Sequence, residues 1–300
     1  MTFQKDAVAA GTAMHTRARL LAAHGATPLF VLLWSGGAIF SRWGLAHASP
    51  FAFLTLRFVL ALAVLAALGL WRRQLLPAPG TRCRVALTGA LMIGGYSICY
   101  LLALDHGMTP GVLATVLGVQ PILTLLWAER RVSLARLAGL MLALGGLVTI
   151  VADSLLAARL SASGWACALT ALACMTTGAI WQKGVKQPPL AVLPLQYAVA
   201  LAMCLVCLPF QPFQPFRFAH VAGFYVPLLW MGIVISVVAT LLFYRLIQRG
   251  NLVNVTSLFY LVPPATVLLD FVFLGNRPAP LALAGMVAIP AGLVLVFRAR

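Results

Sequence analysis

The residue whose chemistry stands out most is Arg57, which lies seven positions after Pro50 in an apolar run that extends from 50 to 71. An arginine near the centre of a membrane-spanning helix costs roughly 2.5–3.5 kcal/mol on insertion scales, so it usually faces a polar cavity or a partner. Two interpretations are open. Arg57 recognises a carboxylate or another anionic group of a ligand, or it is a structural residue that bonds backbone carbonyls or extends toward the membrane surface.

Aromatic and polar side chains near the middle of the other apolar runs form a candidate ligand-binding lining. Tyr96 and Tyr100 are four residues apart, which places both on one face of a helix. Such residues can instead belong to the belt of aromatic side chains at the membrane surface, and we expect about half of them to contact a cavity. Together with Arg57, the predicted lining consists of Trp34, Ser35, Tyr96, Tyr100, Gln120, Trp181, Gln196, Tyr197, Tyr244 and Tyr260.

Three prolines lie inside apolar runs, where proline removes a backbone hydrogen bond and kinks a helix. Pro121 follows Gln120, and Pro263 and Pro264 are adjacent in the ninth run. The carbonyls that lose their partners one turn earlier could face a cavity or bind water. We predict that the prolines act as hinges, while a role in packing or in direct ligand contact stays open.

Residues typical of catalytic or metal sites are scarce. The chain has only five acidic residues and five histidines, and the histidines are scattered over the termini and the connections between runs. A lipid-modifying enzyme within the membrane would need a nucleophile, a base or a metal constellation. We therefore predict no enzyme activity, no catalytic or metal site and no cofactor. Asp270, near the end of the ninth run, is the acid closest to the membrane interior.

The composition requires a lipid environment. The 300 residues are 62% hydrophobic and only 9% charged, whereas soluble domains carry about 25% charged residues. One spanning helix needs roughly 20 apolar residues. The predicted segments are 27–46, 50–71, 85–104, 110–127, 133–152, 163–183, 190–209, 221–244, 251–272 and 281–297.

The positive charges separate the apolar runs and alternate in a regular way. With the N-terminus placed inside, 16 of the 21 Lys and Arg residues fall in the inside segments, four fall outside, and Arg57 lies within a run. Cytoplasmic segments carry such an excess, so this bias predicts that both termini are cytoplasmic. Because the basic residues do not cluster on one solvated face, the net charge of +16 does not indicate binding of nucleic acid.

The chain matches itself at an offset near 140 residues. Each repeat holds five predicted segments, and an odd number makes the second repeat enter the membrane from the opposite side. Inverted repeats that meet at a central cavity are typical of secondary transporters, although a duplication could also only build a stable bundle. The matching stretches are 49–58 with 188–197, 37–42 with 178–183, 118–121 with 261–264, and 138–141 with 284–287.

An ordered set of short motifs resembles the EamA-type members of the drug/metabolite transporter superfamily over residues 27 to 297. The resemblance implies export of small metabolites, often amino acids or toxic compounds, across a bacterial inner membrane. Asn276 departs from the family, which often has a glutamate there. The motifs are Leu33-Trp34-Ser35-Gly36-Gly37, Arg42-Trp43-Gly44, Pro50, Leu56-Arg57-Phe58, Gln120-Pro121, Ala128-Glu129-Arg130, Pro263-Pro264 and Leu274-Gly275-Asn276-Arg277.

These observations combine into one prediction. The chain is an all-α membrane protein with ten transmembrane helices in two inverted five-helix repeats, over 27–153 and 163–297, after a cytoplasmic segment over 1–26. It exports small metabolites or drugs by alternating access; an intramembrane lipid-modifying enzyme and a passive channel are the alternatives. Its partners are the lipid bilayer and a small-molecule substrate, not nucleic acid. Assembly as a homodimer stays open.

Overall fold

The computed structural model of the protein describes residues 25–129, 132–156, 161–210, 221–274 and 277–299. Every regular element within these ranges is helical, and they contain no strand. Most of the predicted segment 1–26 lies outside the described residues. We label the long helices α1 (25–45), α2 (Pro50–Trp71), α3 (Arg82–Asp105), α4 (Pro110–Ala128), α5 (Leu134–Ile150), α6 (Ala162–Lys183), α7 (Pro189–Cys207), α8 (221–249), α9 (252–274) and α10 (Pro280–Arg298).

Eight of these helices, α2 to α4 and α6 to α10, are long and apolar enough to cross a membrane. The helix α5 is apolar but has only 17 residues, and α1 is divided by a turn at Gly36. Large apolar side chains such as Trp71, Val206 and Val287 are exposed on the outside of the bundle, as expected where lipid is the solvent. The described chain is thus an all-helical, multi-pass membrane protein, and the number of crossings stays a prediction.

Local signals explain where the helices begin. Proline is the first residue of α2, α4, α7 and α10; its missing N–H would have no partner there, and its fixed φ suits a helix. The hydroxyl of Thr109 accepts a hydrogen bond from the Val112 amide at 3.3 Å. The hydroxyl of Ser161 does the same for the Gly164 amide at 3.0 Å. These caps fix the entry points of α4 and α6.

The helices α1 to α5 correspond to α6 to α10, and most contacts between two helices have a counterpart between the two corresponding helices. The helix α3 packs against α6 and α7, and α8 packs correspondingly against α1 and α2. The helix α4 contacts α6, and α9 contacts α1 through Thr266, whose hydroxyl donates to the Ser35 carbonyl at 3.1 Å. The pairs α2–α7, α4–α9 and α5–α10 map onto themselves. The two halves therefore enclose a common centre.

The closest helix pair is α5 with α10, and small residues allow its approach. A methyl group placed on Gly139 would lie 2.6 Å from the Gly292 carbonyl, and one placed on Gly292 would lie 2.5 Å from the Gly139 carbonyl. Further along, Gly146 faces Gly285 in the same way. Residue numbers rise from 139 to 146 along α5 while those of the facing glycines fall from 292 to 285 along α10, so the two helices run antiparallel. Small faces of this kind drive association of helices in lipid.

This packing predicts opposite effects for two identical substitutions. In Gly292→Ala the methyl group collides with backbone, so we expect the protein's midpoint of thermal unfolding in detergent to fall. In Gly145→Ala the methyl group meets nothing within 4 Å, and alanine favours a helix over glycine by about 1 kcal/mol, so the midpoint should stay or rise. Equal midpoints for the two variants would show that α5 and α10 are not held by backbone contact.

Candidate functional site

A large cavity lies between the two halves, with about 1240 Å³ of space not filled by protein atoms, including the part open to solvent. Described residues of nine helices line it, and mostly apolar side chains form its wall, as in small-molecule sites. The lining residues are Trp34, Gly37, Ala38, Ser41, Arg57, Met92, Ile93, Tyr96, Ser97, Tyr100, Pro110, Ala114, Leu117, Gly118, Gln120, Pro121, Leu147, Met175, Tyr197, Met231, Ile235, Thr240, Phe243, Tyr244, Phe259, Tyr260, Val262 and Pro263.

Two wide helical turns face this cavity at equivalent places in the two halves. The chain is a π-helix over Ala90–Gly95 in α3 and over Trp230–Ala239 in α8, and the two segments begin 140 positions apart, which is the offset of the repeat. In α8 the Thr240 hydroxyl donates to the Ile235 carbonyl at 2.8 Å. Turns of this kind are rare and often occur at functional sites. No residue pattern in the sequence predicted them.

The helices α4 and α9 are also interrupted at equivalent places, just before the prolines. In α4 the amide of Ile122 bonds the Val119 carbonyl at 3.0 Å instead of continuing the α-helical pattern. The released carbonyl of Gly118 accepts a hydrogen bond from the Tyr260 hydroxyl of α9. In α9 the interruption is a 3₁₀ segment over Leu258–Leu261. A side chain of one half thus satisfies the broken backbone of the other.

Arg57 extends from α2 into the cavity wall and is only 8% exposed. Its Nε donates to the Ser236 hydroxyl of α8 at 2.9 Å, and the Ser236 carbonyl accepts from the Tyr197 hydroxyl of α7 at 2.8 Å. Its guanidinium also lies 5.7 Å from the ring of Phe58. This chain of bonds fixes the guanidinium between α2, α7 and α8, and no acidic side chain of the described residues pairs with it.

A second set of polar side chains lies behind the wall and holds Tyr244 in place. The Tyr244 hydroxyl donates to the Gln196 amide oxygen at 2.7 Å, and the Gln196 nitrogen donates to the Gln182 oxygen at 3.0 Å. Gln196 and Gln182 are fully buried and do not line the cavity. The repeat counterpart of Arg57 therefore positions a neighbour of the cavity, not a ligand directly.

Aromatic rings close one end of the cavity. Trp34 of α1 packs against Phe259 at 5.3 Å and against Phe243 at 5.8 Å between ring centroids. Phe30 lies beneath them, stacked on Phe243 at 5.3 Å, and is fully buried. This cluster of four rings, the aromatic floor, separates the cavity from the helix ends that follow.

Beyond the aromatic floor, a polar network joins the two halves. The guanidinium of Arg136 on α5 forms an ion pair with Glu129 and donates to the side-chain oxygens of Asn251 at 3.1 Å and Asn254 at 2.5 Å. Asn251 also donates to Glu129 at 3.1 Å. Arg136 is only 7% exposed, whereas its partner Asn251 is exposed, so the network lies at the edge of the bundle with its guanidinium turned inward. We call these four residues the polar latch.

Further bonds tie the neighbouring connections together at the same end of the bundle. The ammonium of Lys183 donates to the carbonyls of Ile247 at 2.7 Å and Gly250 at 2.5 Å, at the carboxyl end of α8. Gln187 donates to the Thr81 hydroxyl at 2.8 Å and so joins the connection after α6 to the one before α3. The cavity itself extends the other way, to Pro110 at the beginning of α4.

The structure brings most of the predicted site residues to one place. Arg57, Trp34, Tyr96, Tyr100, Gln120, Tyr197, Tyr244 and Tyr260 line the cavity, and so do the predicted hinges Pro121 and Pro263. Ser35 is buried and donates to the Val31 carbonyl at 2.7 Å. Pro264 is buried outside the wall, and Trp181 is 39% exposed away from the cavity. The sequence predicted that Ser35, Gln196 and Trp181 line the cavity, but the structure does not place these side chains at the wall.

Several residues of the site were missed from the sequence. Ser236, Phe243 and Phe259 carry no signal beyond their place in apolar runs, where one serine or phenylalanine is ordinary. Arg136 was counted among the inside charges, although its distance of seven residues from Glu129 could have indicated a pair. Among the described residues no group of three His, Cys, Asp or Glu side chains could hold a metal ion. The side chain of Asp270 lies outside those described.

Comparisons with known proteins agree with this architecture. An uncharacterized transporter of Archaeoglobus fulgidus is 26% identical over 299 residues, which cover 94% of this chain and 98% of that protein. A solved crystal structure with 23% identity covers 91% of this chain and 98% of its own, with a TM-score of 0.75, and so shares the fold. The EamA-like transporter family matches residues 26–152 and again residues 162–298. The chain therefore belongs to the EamA-like transporter family.

Proposed function

We propose that this membrane transporter exports small metabolites or drugs across a bacterial inner membrane by alternating access between two inverted halves. The observation that carries the proposal is the central cavity, which both halves line and which, among the described residues, the aromatic floor and the polar latch close at one end. A carrier needs such a site that is exposed to one side at a time. The mostly apolar wall with a few polar groups is also typical of sites that bind small molecules.

The inverted relation of the halves is supported by the direction of α5 and α10. These helices are equivalent in the two repeats and run antiparallel, with Gly139 beside Gly292 and Gly146 beside Gly285. A twofold axis that exchanges two antiparallel helices is perpendicular to both, so it lies in the membrane plane. The two family matches, each of about five helices, agree with ten crossings, with α1 and the short α5 included.

The closed end is the cytoplasmic side if the segments rich in Lys and Arg are cytoplasmic, as the sequence predicts. Arg136 of the polar latch and Lys183 belong to the segments that carry 16 of the 21 basic residues. The cavity extends toward the opposite, outer end, where α4 begins at Pro110. The structure then corresponds to an outward-facing conformation, and export requires the polar latch to open.

The interruptions of α4 and α9 are suited to act as the hinges of this motion. Pro121 and Pro263 follow interrupted turns whose backbone bonds are already broken, so bending there breaks few further bonds. The Tyr260 hydroxyl, bonded to the Gly118 carbonyl, couples the two hinges. Bending of one interruption is thereby transmitted to the other.

The coupling of the hinges predicts a loss of stability and flux in Tyr260→Phe. This change leaves the buried Gly118 carbonyl without its donor, which costs about 1–3 kcal/mol. We expect a lower midpoint of thermal unfolding and slower substrate flux in proteoliposomes. Tyr225→Phe is the matched control, since Tyr225 is 43% exposed on the outside of α8. Equal stability and flux for both variants would contradict the role of Tyr260.

The polar latch predicts that Arg136→Gln opens the cytoplasmic end. The variant loses an ion pair and charge-assisted bonds to Asn251 and Asn254, each of which contributes about 1.5–3 kcal/mol. We expect faster hydrogen–deuterium exchange of the amides of residues 251–257. Arg245→Gln, at an exposed position of α8, should leave exchange unchanged. Unaltered exchange in Arg136→Gln would argue against a closing function of the network.

Transport itself is tested with the purified protein in liposomes. We expect saturable flux of at least one compound from a panel of amino acids, organic acids and cationic drugs, with no single-channel conductance. Conductance without saturation would favour a passive channel. A protein that moves none of the panel but modifies lipid in the same vesicles would favour the lipid-modifying enzyme.

A further inference from the structure

Arg57 carries a positive charge that nothing in the described protein neutralises. Among the described residues its one hydrogen bond is the one that Nε donates to Ser236, and neither terminal nitrogen of the guanidinium has an acceptor there. No described acidic side chain lines the cavity, and the ion pair found among the described residues joins Glu129 and Arg136, beyond the aromatic floor. A buried charge without a partner is costly, so a bound anion would complete the site.

The wall also offers other unused hydrogen-bond donors. Tyr96 and Tyr100 line the same wall as Arg57 and make no hydrogen bond with the described residues, so both hydroxyls can donate to a ligand. The side-chain nitrogen of Gln120, a residue only 3% exposed, has no partner. In contrast, Tyr197 and the other two tyrosines of the wall donate their protons to protein oxygens. The free capacity of the site thus suits the oxygens of an anion.

A cationic ligand fits this site less well, despite its aromatic rings. At a separation of about 7 Å and an effective dielectric constant of about 20, the Arg57 charge weakens binding of a monocation by roughly 50-fold. A cation–π contact regains only about 2- to 30-fold. The described wall also offers no carboxylate that could pair with an ammonium group. The charge therefore decides against cations and gives a zwitterion no advantage.

Building on the proposed function, we infer that the substrates are organic monoanions, in which a carboxylate binds Arg57 and an aromatic or aliphatic body rests on the aromatic floor. Trp34, Phe243 and Phe259 present ring surface to the cavity, and Met175 and Leu117 add apolar surface beside them. An anion also needs no separate driving group for export, because the inside-negative membrane potential moves negative charge outward. This agrees with the lack of a carboxyl group among the described residues of the wall.

Three compounds with the same phenyl group test the charge preference. We measure binding of 3-phenylpropionate, phenylalanine and phenethylamine to the purified protein by calorimetry, and their flux in proteoliposomes against protein-free vesicles. We expect 3-phenylpropionate to bind at least tenfold more tightly than the other two. Its flux should carry a current with the sign of negative charge movement, and an outward-directed flux should increase when valinomycin and a potassium gradient make the interior negative.

Variants of Arg57 test where the anion binds. Arg57→Gln should weaken 3-phenylpropionate binding by about 10- to 100-fold, the range for hydrogen bonds to a charged group. Arg57→Lys keeps the charge and should retain part of the affinity. Arg72→Gln is the matched control, because Arg72 is exposed at the end of the same helix. Size-exclusion profiles and unfolding midpoints show whether each variant is folded. The comparison of the three compounds uses the unaltered protein, so it tests the inference even if a variant does not fold.

The outcomes separate this inference from the proposed function. Tighter binding of phenylalanine or phenethylamine than of 3-phenylpropionate overturns the anion inference, even if flux shows a working transporter. Full affinity in a folded Arg57→Gln variant overturns it as well. Selective binding of 3-phenylpropionate without flux of any compound supports the inference and counts against transport.

Discussion

Lipid offers no hydrogen bonds to the middle of this bundle, so a polar group there is costly unless it finds a partner in the protein or in the cavity. The interrupted helices around the cavity obey this constraint through side chains: Tyr260 bonds the released Gly118 carbonyl, and Thr240 bonds a carbonyl of the π-helix in α8. Arg57 is held by Ser236 in the same way. Irregular backbone is tolerated at membrane depth only where it is enclosed or lines a cavity, and both conditions hold here. The position of the cavity and the position of the interruptions are therefore one property of the fold.

The two ends of the bundle differ in how they are held together. At one end, Arg136 and Lys183 bind oxygens from several connections, and the rings of Trp34 and Phe259 fill the space above them. The opposite end shows no comparable ring of bonds among the described residues. The pair α5–α10 is different again, since the close approach of its backbones at Gly139 and Gly292 holds it together. The bundle thus combines an end that is joined by polar bonds with a helix pair that is joined by close packing.

Much of this could be predicted from the sequence because hydropathy, charge and repeat are properties of the chain read in order. The described segments are helical where apolar runs were predicted, the family resemblance is confirmed, and the prolines marked the interruptions of α4 and α9. The direction in which an individual side chain points could not be predicted. A helix that is apolar on all sides has no polar face that would show which side faces the cavity and which faces lipid. Trp34 and Trp181 look alike in sequence, yet one lines the cavity and the other is exposed. The π-helices have no residue signature, so only the structure reveals them.

Arg57 and Gln196 occupy equivalent positions of the two repeats but differ in charge, and this difference limits the orientations in which a molecule can bind between the halves. If both repeats presented a guanidinium, the pseudo-twofold axis would offer two equivalent orientations, each the reverse of the other. Instead, Gln196 is buried behind Tyr244, and among the described residues only Arg57 of α2 presents a charge to the cavity. The two orientations are therefore not equivalent, and a polar molecule that bound here would have its charged end at one defined side of the axis. The duplicated framework thus holds a site that is not itself duplicated.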